Sequence, residues 1–570
     1  MRQAGLVIES FERCYQAVKS KDPRFDGWFF TAVRTTGTYC RPSCPAVPPK
    51  PANVTFYPTA AACQRAGYRA CKRCRPDATP GSPEWDSRAD LVARAMRLIA
   101  DGVVDRDGVG GLASRLSYST RQIERLLMAE VGAGPLGLAR AQRAQAARVL
   151  IETTAMPMAQ VAFAAGFASV RQFNDTVQAV FAVSATELRR KAVDRPTSHK
   201  AGPAASPLAA SPLAASPVAG HLVPGPGPGQ TLTLRLPFRA PLCVDNLFGH
   251  LAATAVPGVE EMRDGTYRRT LRLSHGVAIV ALRPAEDCIW ASLSLGDLRD
   301  LTSAVARCRR LLDLDADPQA TDQLLCEDPA LAPLVRSAPG RRVPRTVDEE
   351  EMAVRAVLGQ QVSTAAARTH AGRLAATYGE PVDDPAGGLS RTFPSSIALA
   401  EALSAPAQPG MAPLLAGPRA RQATFAGLVT ALADGKVDLG PGGDWEEARA
   451  QLGQLAGVGP WTVEIIAMRA LGDPDAFPVG DLGVRRAALA AGLAKASSHL
   501  AKRAERWRPW RAYATQYLWA TLDHPINDLP SGMGPRKNQV QKGASHDLSP
   551  RHHAYHHGGQ PGRALDTDLQ

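Results

Sequence analysis

Four cysteines near the N terminus have the spacing of a metal site. They form two knuckles, Cys40-x3-Cys44 and Cys71-x2-Cys74, with 26 residues between them. Four thiolates arranged as two such pairs suit tetrahedral Zn²⁺. Two disulfides or a chance arrangement are the alternatives, and the absence of a signal-peptide pattern at the start of the sequence disfavours the disulfides. We therefore expect one zinc ion bound by all four cysteines.

The residues around these thiols are strongly basic. Between Arg34 and Arg75 there are eight Lys or Arg residues and no Asp or Glu. A bias of this kind predicts a surface that lies against phosphate groups. We expect Arg34, Lys72 and Arg73 to contact DNA.

The motifs of this region carry a family resemblance. The stretch AVRTTGTYCRPSC, followed by NVTFY and AAGYRACKRCRPD, resembles the N-terminal domain of the Ada family of alkylation-response proteins. The resemblance implies that Cys40 accepts a methyl group from a methylphosphotriester of the DNA backbone, and that Cys44, Cys71 and Cys74 are its fellow zinc ligands. Zinc keeps such a sulfur as a thiolate at neutral pH. Because methylation makes the zinc–thiolate centre less negative, the methylated domain should bind DNA more tightly.

The next hundred residues predict two helix-turn-helix units. GLASRLSYSTRQIERLLMAEVGAGP and MAQVAFAAGFASVRQFNDTVQAVFAVSATELR each place an amphipathic helix after a short polar or glycine turn. The pair resembles the AraC family of transcription activators, which implies that two helices enter successive major-groove segments. The alternative for their exposed polar residues is a solvated helix face. The candidate base readers are Arg121, Gln122, Arg125, Ser169, Arg171, Gln172 and Asn174.

The C-terminal half contains a glycine hairpin and a later aspartate. In LAGVGPWTVEIIAMRALGDPDAFPVGD, the residues Leu455, Gly457 and Gly459 form a hairpin whose backbone N–H groups can approach a DNA phosphate. With VRAVLGQQVS and RAERWRPWRAYATQYLW, this stretch resembles the AlkA-type alkyladenine glycosylases of the helix-hairpin-helix superfamily. The resemblance implies that Asp481 is the catalytic carboxylate. A helix N-cap is the alternative role for Asp481, and Asp475 is a nearby competitor that we expect to be structural.

The same resemblance implies a pocket for a flipped, cationic base. Trp461 and Trp519 match its aromatic positions, with ordinary core packing as the alternative, and His250 stands where relatives carry an aromatic residue. Trp461 also replaces the lysine of lyase-type relatives, so we expect base release without a Schiff base. Gln361 stands at the position of the residue that fills the gap left by the flipped base.

The composition agrees with a DNA-bound enzyme of several domains. The chain has 570 residues and a net charge of +12, and no apolar stretch is long enough to cross a membrane. We expect a cytoplasmic, nucleoid-associated monomer that binds alkylated DNA and a promoter operator, and that contacts RNA polymerase. The expected fold is multidomain and mainly α: a small α/β zinc domain, an all-α double helix-turn-helix, then an α+β (TATA-binding-protein-like) subdomain with an all-α helix-hairpin-helix glycosylase domain.

The sequence predicts six segments, of which two are linkers or tails. They are a zinc domain (1–80), a helix-turn-helix domain (85–192), an Ala/Ser/Pro/Gly linker (193–229), a strand-rich subdomain (230–335), a glycosylase domain (336–526) and a disordered tail (527–570). The predicted function is twofold: hydrolytic release of 3-methyladenine-type bases, and methyl transfer to Cys40 that switches on DNA binding and transcription activation. The alternative is a pure methyl-sensing regulator whose glycosylase-like half is an inactive DNA-docking module.

Overall fold

The structure is a computed structural model of the whole chain. It describes the residues 10–76, 90–193, 223–224, 231–405, 415, 417–493 and 497–530. Most of the predicted linker and the predicted tail beyond residue 530 lie outside the described residues. None of the described helices is long and apolar enough to cross a membrane.

The N-terminal domain is a small four-stranded sheet with two short helices. The strands follow the order Val54–Tyr57, Phe30–Val33, Thr38–Cys40 and Arg69–Ala70 across the sheet. The last pair is parallel and the other two pairs are antiparallel. The helices are Phe11–Lys19 and Ala60–Arg65, which Ser10 and Thr59 cap with their hydroxyl groups. This is the predicted α/β zinc domain.

The second region is all-helical apart from a two-residue bridge at Thr154–Ala155, as predicted. Its helices are Leu91–Ala100, Val103–Leu116, Thr120–Val131, Pro135–Thr153, Met158–Ala164, Val170–Phe181 and Ala185–Val193. Thr120–Val131 and Val170–Phe181, which we call the first and second recognition helices, are amphipathic: they bury Ile123, Leu127, Phe173 and Val177. Two such helices on one long connecting helix are the geometry of a double helix-turn-helix.

The α+β subdomain contains a five-stranded antiparallel sheet. The strands follow the order Thr231–Pro237, Cys288–Leu295, Gly276–Pro284, Thr266–Leu273 and Glu260–Arg263. The alternation of TLTLRLP places Leu232, Leu234 and Leu236 in the core. Four helices accompany the sheet: Val244–Thr254, Leu301–Leu311, Pro318–Leu325 and Ala332–Ser337. This sheet is the strand-rich part of the predicted α+β subdomain.

The rest of the described chain is helical and forms the largest apolar core. Its α-helices are Glu349–Leu358, Thr364–Tyr378, Ser396–Ser404, Arg419–Ala433, Trp445–Gln454, Pro460–Ile466, Leu482–Ala490, Ser497–Ala504 and Arg511–Trp519. A π-helical turn, Ala467–Leu471, directly follows the helix of the glycine hairpin. This domain is the predicted all-α unit.

The N-terminal and C-terminal halves contact each other. Helix Leu91–Ala100 packs on the loop before Trp445, where Arg94 donates to the Gly442 carbonyl at 2.6 Å and Arg97 to the Pro441 carbonyl at 2.8 Å. Arg94 also pairs with Asp444 at 3.3 Å, and the Arg97 guanidinium lies 5.1 Å from the centre of the Trp445 ring, so backbone and side chains of this loop both contribute to the contact.

The predicted start of the tail at residue 527 needs correction. A 3₁₀ turn, Pro525–Asn527, continues into described residues up to Pro530 and packs on helix Val244–Thr254. A Cβ on Gly249 would lie 2.6 Å from the Asp528 carbonyl oxygen, so this contact requires glycine. The residues Pro525 to Pro530 carry no helical or strand periodicity, so their pattern does not predict this contact.

Candidate functional sites

The four predicted zinc ligands converge. The sulfur atoms of Cys40, Cys44, Cys71 and Cys74 all lie within 4.8 Å of one another. Cys40 ends one strand and Cys71 follows its parallel neighbour, and a 2.9 Å bond from the Cys71 N–H to the Tyr39 carbonyl joins the two. Four sulfur donors at this separation fit Zn²⁺. Cys44 and Cys74 are buried, whereas Cys40 and Cys71 are partly exposed.

A buried carboxylate that the sequence analysis missed supports the first knuckle. Asp26 is 6% exposed, and burial raises its pKa although Ser43 hydrogen bonds oppose the shift. It accepts from the Ser43 N–H at 2.9 Å and from the Ser43 hydroxyl at 2.6 Å. The only local signal was an acid just before the long acid-free stretch, and that signal does not reveal its partner.

The basic residues proposed to face DNA are all on the surface. Arg34, Lys72 and Arg73 are exposed, and Lys72 and Arg73 lie between two zinc ligands. Arg34 donates to the Ala52 carbonyl, so part of its guanidinium already serves the fold. Their contacts with DNA stay a prediction.

The predicted base readers lie on or at the start of the two recognition helices and are exposed. Two of them also have a structural task. The Gln122 side chain accepts from the Ser119 N–H at 3.1 Å in a capping box, and the Ser169 hydroxyl accepts from the Gln172 N–H at 3.2 Å as an N-cap. The predicted readers whose side chains take no part in these caps are Arg121, Arg125, Arg171, Gln172 and Asn174.

The C-terminal half brings both predicted tryptophans to the predicted carboxylate. The indole N–H of Trp461 donates to Asp481 Oδ2 and that of Trp519 to Asp481 Oδ1, each at 2.9 Å. Oδ1 also accepts from the Val484 N–H at 2.8 Å, because Asp481 is the N-cap of helix Leu482–Ala490. Three donors from three parts of the chain thus fix one half-exposed carboxylate. Hydrogen bonds to an ionised carboxylate are among the stronger ones in proteins.

Asp475, the nearer competitor, has the structural role that we expected. It forms ion pairs with Arg508 and, at 2.7 Å, with Arg511. These pairs tie the loop before Asp481 to the start of helix Arg511–Trp519, which carries Trp519 at its other end.

The glycine hairpin has the geometry of a phosphate-binding turn. Gly457 has a φ of +80°, and a Cβ there would meet Thr424 Oγ1 at 1.9 Å. Gly459 precedes helix Pro460–Ile466 without a side-chain cap, so the N-terminal N–H groups of this helix are not used by a cap. These features leave the backbone accessible to an anion.

The loop with Gln361 is joined to this hairpin. Gln361 is exposed and has a φ of +56°, which is uncommon for a residue with a side chain. Its neighbour Gln360, which the sequence analysis did not single out, donates to the Gly457 carbonyl at 3.1 Å and to the Thr462 hydroxyl at 2.9 Å. The gap-filling role of Gln361 stays a prediction.

His250 is buried, and no hydrogen bond among the described residues joins it to Asp481. It is 9% exposed, and its Nε2 has no hydrogen-bond partner in the described part of the chain. Burial, together with the nearby positive charges of Arg469 and Arg355, lowers its pKa well below the usual value, so the ring is neutral. Its role in a base pocket stays a prediction.

Comparison with known families supports three of the folded regions. The chain matches the family descriptions "Metal binding domain of Ada" over residues 13–77, "Helix-turn-helix domain" over 112–191 and "AlkA N-terminal domain" over 233–348. The three matches follow one another in the order of the folded units.

Curated relatives cover the same regions. A Mycobacterium tuberculosis protein described as "Probable bifunctional transcriptional activator/DNA repair enzyme AlkA" is 59% identical over 92% of this chain and 98% of its own length. "DNA-3-methyladenine glycosylase 2" of Escherichia coli is 33% identical over 48% of this chain and 92% of its own. "Bifunctional transcriptional activator/DNA repair enzyme Ada" of Escherichia coli is 37% identical over 26% of this chain and 40% of its own. The chain belongs to the family of bifunctional AlkA-type transcriptional activators and DNA repair enzymes, and its four-cysteine domain is a zinc-binding domain.

Proposed function

We propose that this protein detects DNA alkylation with one half and repairs it with the other. The C-terminal half hydrolyses alkylated bases of the 3-methyladenine type from DNA. The N-terminal half transfers a methyl group from a DNA methylphosphotriester to Cys40, and the methylated protein binds a promoter and activates transcription. The observation that supports this best is that one chain keeps both centres complete: four converging thiols, and a carboxylate held by two tryptophans.

The geometry supports base release by charge stabilisation. When an alkylated base leaves, the sugar acquires oxocarbenium character, and a nearby carboxylate stabilises that positive charge. Asp481 is already oriented by Trp461 and Trp519, so little reorganisation is needed during the reaction. Since Trp461 offers no amine, the product is an abasic site without strand cleavage.

The thiol centre supports a single methyl transfer per molecule. The half-exposed Cys40 sulfur attacks the methyl carbon in line. A carbon–sulfur bond forms, the carbon–oxygen bond breaks, and the phosphate leaves as a diester anion. Bound zinc supplies the positive charge that keeps the sulfur a thiolate. The thioether is stable, so the protein is consumed as a sensor.

One labelling experiment tests both activities. DNA carrying isotopically labelled methyl groups is incubated with the protein, and the label is located by mass spectrometry and chromatography of released bases. We expect label on Cys40 and in free bases. Label in free bases alone would refute the sensor function. Label on Cys40 alone would favour the alternative, a methyl-sensing regulator with an inactive glycosylase-like docking module.

The same proposal includes an oligomeric state, a location and a protein partner. We propose that the protein acts as a monomer on the cytoplasmic nucleoid and that its methylated form contacts RNA polymerase at the promoter. The net charge of +12 and the exposed recognition helices support binding to DNA. Sedimentation of the free protein and footprinting with RNA polymerase test the two points. A dimer, or a footprint unchanged by the polymerase, would refute them.

A further inference from the structure

The knuckle that contains Cys40 and Cys44 is held from inside the protein. Arg41 and Ser43 both lie between these two cysteines, and both contact Asp26. Ser43 donates its N–H and hydroxyl to the two carboxylate oxygens, at 2.9 and 2.6 Å, and Arg41 Nη1 lies 3.4 Å from Oδ2. A carboxylate that binds two of the three intervening residues fixes the conformation in which the knuckle presents Cys40.

Asp26 is held in turn by Arg239, a residue of the C-terminal half. Arg239 follows strand Thr231–Pro237, and its Nη2 donates to the Asp26 backbone carbonyl at 2.8 Å. Its Nη1 donates at 2.8 Å to the carbonyl of Asp315. Arg239 is 7% exposed, and burial lowers its pKa to about 10, so it is still protonated at neutral pH. One buried guanidinium thus joins backbone carbonyls of the two halves.

Arg239 has little freedom to move away. Arg342, which is fully buried, donates through Nη2 to the Arg239 carbonyl at 2.6 Å. The Arg342 carbonyl accepts from the Asn246 side chain at 2.6 Å. The support of the knuckle is therefore continuous with the core of the strand-rich subdomain.

We propose that Asp26 is a positioning residue for methyl transfer and that Arg239 extends this role across the domain boundary. The proposal rests on the proposed transfer of a methyl group to Cys40. Asp26 contacts the knuckle through Arg41 and Ser43, and it keeps Cys40 in the half-exposed position that an incoming methyl carbon can reach. The sensor centre therefore includes a residue of the repair half.

The test uses the full-length zinc-loaded protein and two measurements. The first is the rate of zinc release to a chromogenic chelator, without DNA. The second is the rate of methyl transfer to Cys40 from a methylphosphotriester oligonucleotide. The variants are Asp26→Asn, Ser43→Ala and Arg239→Gln. Small displacements of reacting groups and lost bonds to charged groups cost about tenfold or more, so we expect methyl transfer to slow about tenfold and zinc release to accelerate in all three.

Arg235→Gln is the matched control. Arg235 lies on the strand that precedes Arg239, is exposed, and pairs with Asp287 at 2.6 Å. The zinc-release and methyl-transfer rates of this variant should therefore equal those of the wild type. Ser43→Ala changes only a half-buried loop hydroxyl, and its base-release rate should equal that of the wild type, which verifies that the protein is folded.

Three results show which part of the proposal is wrong. Wild-type rates in Asp26→Asn and Ser43→Ala would refute the positioning role. An Arg239→Gln variant that behaves like Arg235→Gln would refute the extension across the boundary. A wild-type protein that takes up no methyl group, beside variants that release zinc faster, would refute the proposed transfer and still support the bracing of the knuckle.

Discussion

The thiol centre and the Asp481 centre are assembled in opposite ways. All four thiols come from two knuckles of one small domain, and strand pairing brings the knuckles together. Asp481, Trp461 and Trp519 come from three separate helical segments and meet only in the folded domain. Local spacing can therefore reveal the first centre, whereas only the tertiary structure shows how the second is oriented.

The two centres also differ in what happens to the protein. In the proposed function the Cys40 sulfur keeps the transferred methyl group, so each molecule reacts once. The Asp481 carboxylate would stabilise charge during base release and be unchanged afterwards. Single substitutions should therefore remove either activity from the chain and leave the other.

The largest expected effect is a complete separation of the two activities. Cys40→Ser removes the thiolate, so methyl uptake should be lost while base release continues. Asp481→Asn removes the negative charge, so base release should fall by about 10²–10³-fold while methyl uptake continues. Mass spectrometry of the protein and chromatography of released bases measure both.

Matched controls exist for both substitutions. Cys243 is half-buried and lies outside the thiol cluster, and Asp434 is an exposed carboxylate that pairs with Lys436 at 2.8 Å. Cys243→Ser and Asp434→Asn should retain both reactions in the folded protein. If Cys40→Ser still acquires a methyl group on another cysteine, the acceptor assignment is wrong.

A smaller effect is expected from the indole donors. Trp461→Phe and Trp519→Phe each keep an aromatic ring but remove one hydrogen bond to Asp481. A bond to a charged group contributes about 1.5–3 kcal/mol, so the single-turnover rate of base release should fall at least about tenfold. Equal rates in the variants and the wild type would mean that the tryptophans act only through packing or stacking.

The hairpin glycines should differ in their effect on stability. Gly457→Ala forces a side chain into a left-handed backbone and against Thr424, which should destabilise the domain by about 1–3 kcal/mol. Gly459 has ordinary backbone geometry and nothing within 4 Å of an added Cβ, so Gly459→Ala should leave the unfolding temperature nearly unchanged. Thermal unfolding compares the two, and equal unfolding temperatures would contradict the prediction.

The smallest effect concerns His250 and pH. Burial keeps the folded-state pKa of His250 well below 6.5, whereas the unfolded chain binds a proton below about 6.5. Stability from this residue is therefore present above pH 6.5 and is lost as the pH falls. His250→Phe should reduce the loss of thermal stability between pH 7.5 and pH 5.5. An identical pH dependence in both proteins would exclude this role.

The sequence predicted the fold class and the two groups of side chains that come together in the structure. The four cysteines converge as their spacing indicated, and the strands of the α+β subdomain follow the alternation of their apolar residues. Asp481 had two competing interpretations, and the N-cap role is confirmed. The same carboxylate also receives both indole donors, so capping does not exclude the catalytic role, which stays a prediction.

The features that the sequence did not reveal depend on contacts between distant residues. Asp26 and Gln360 are polar residues without periodicity, and only their partners, Ser43 and Gly457, show what they do. The error at residue 527 has the same cause, because the contact with Gly249 involves backbone carbonyl oxygens of the packed segment. Backbone contacts of this kind leave no pattern in the side chains.

The contact between Arg94, Arg97 and the loop before Trp445 has a consequence for how the halves separate. Because one polypeptide carries both surfaces, their association is intramolecular and depends on an effective concentration that the chain itself sets. Contacts too weak to hold two separate proteins together then suffice to keep the halves associated. The fraction of molecules with separated halves is therefore independent of the concentration of the protein in the cell.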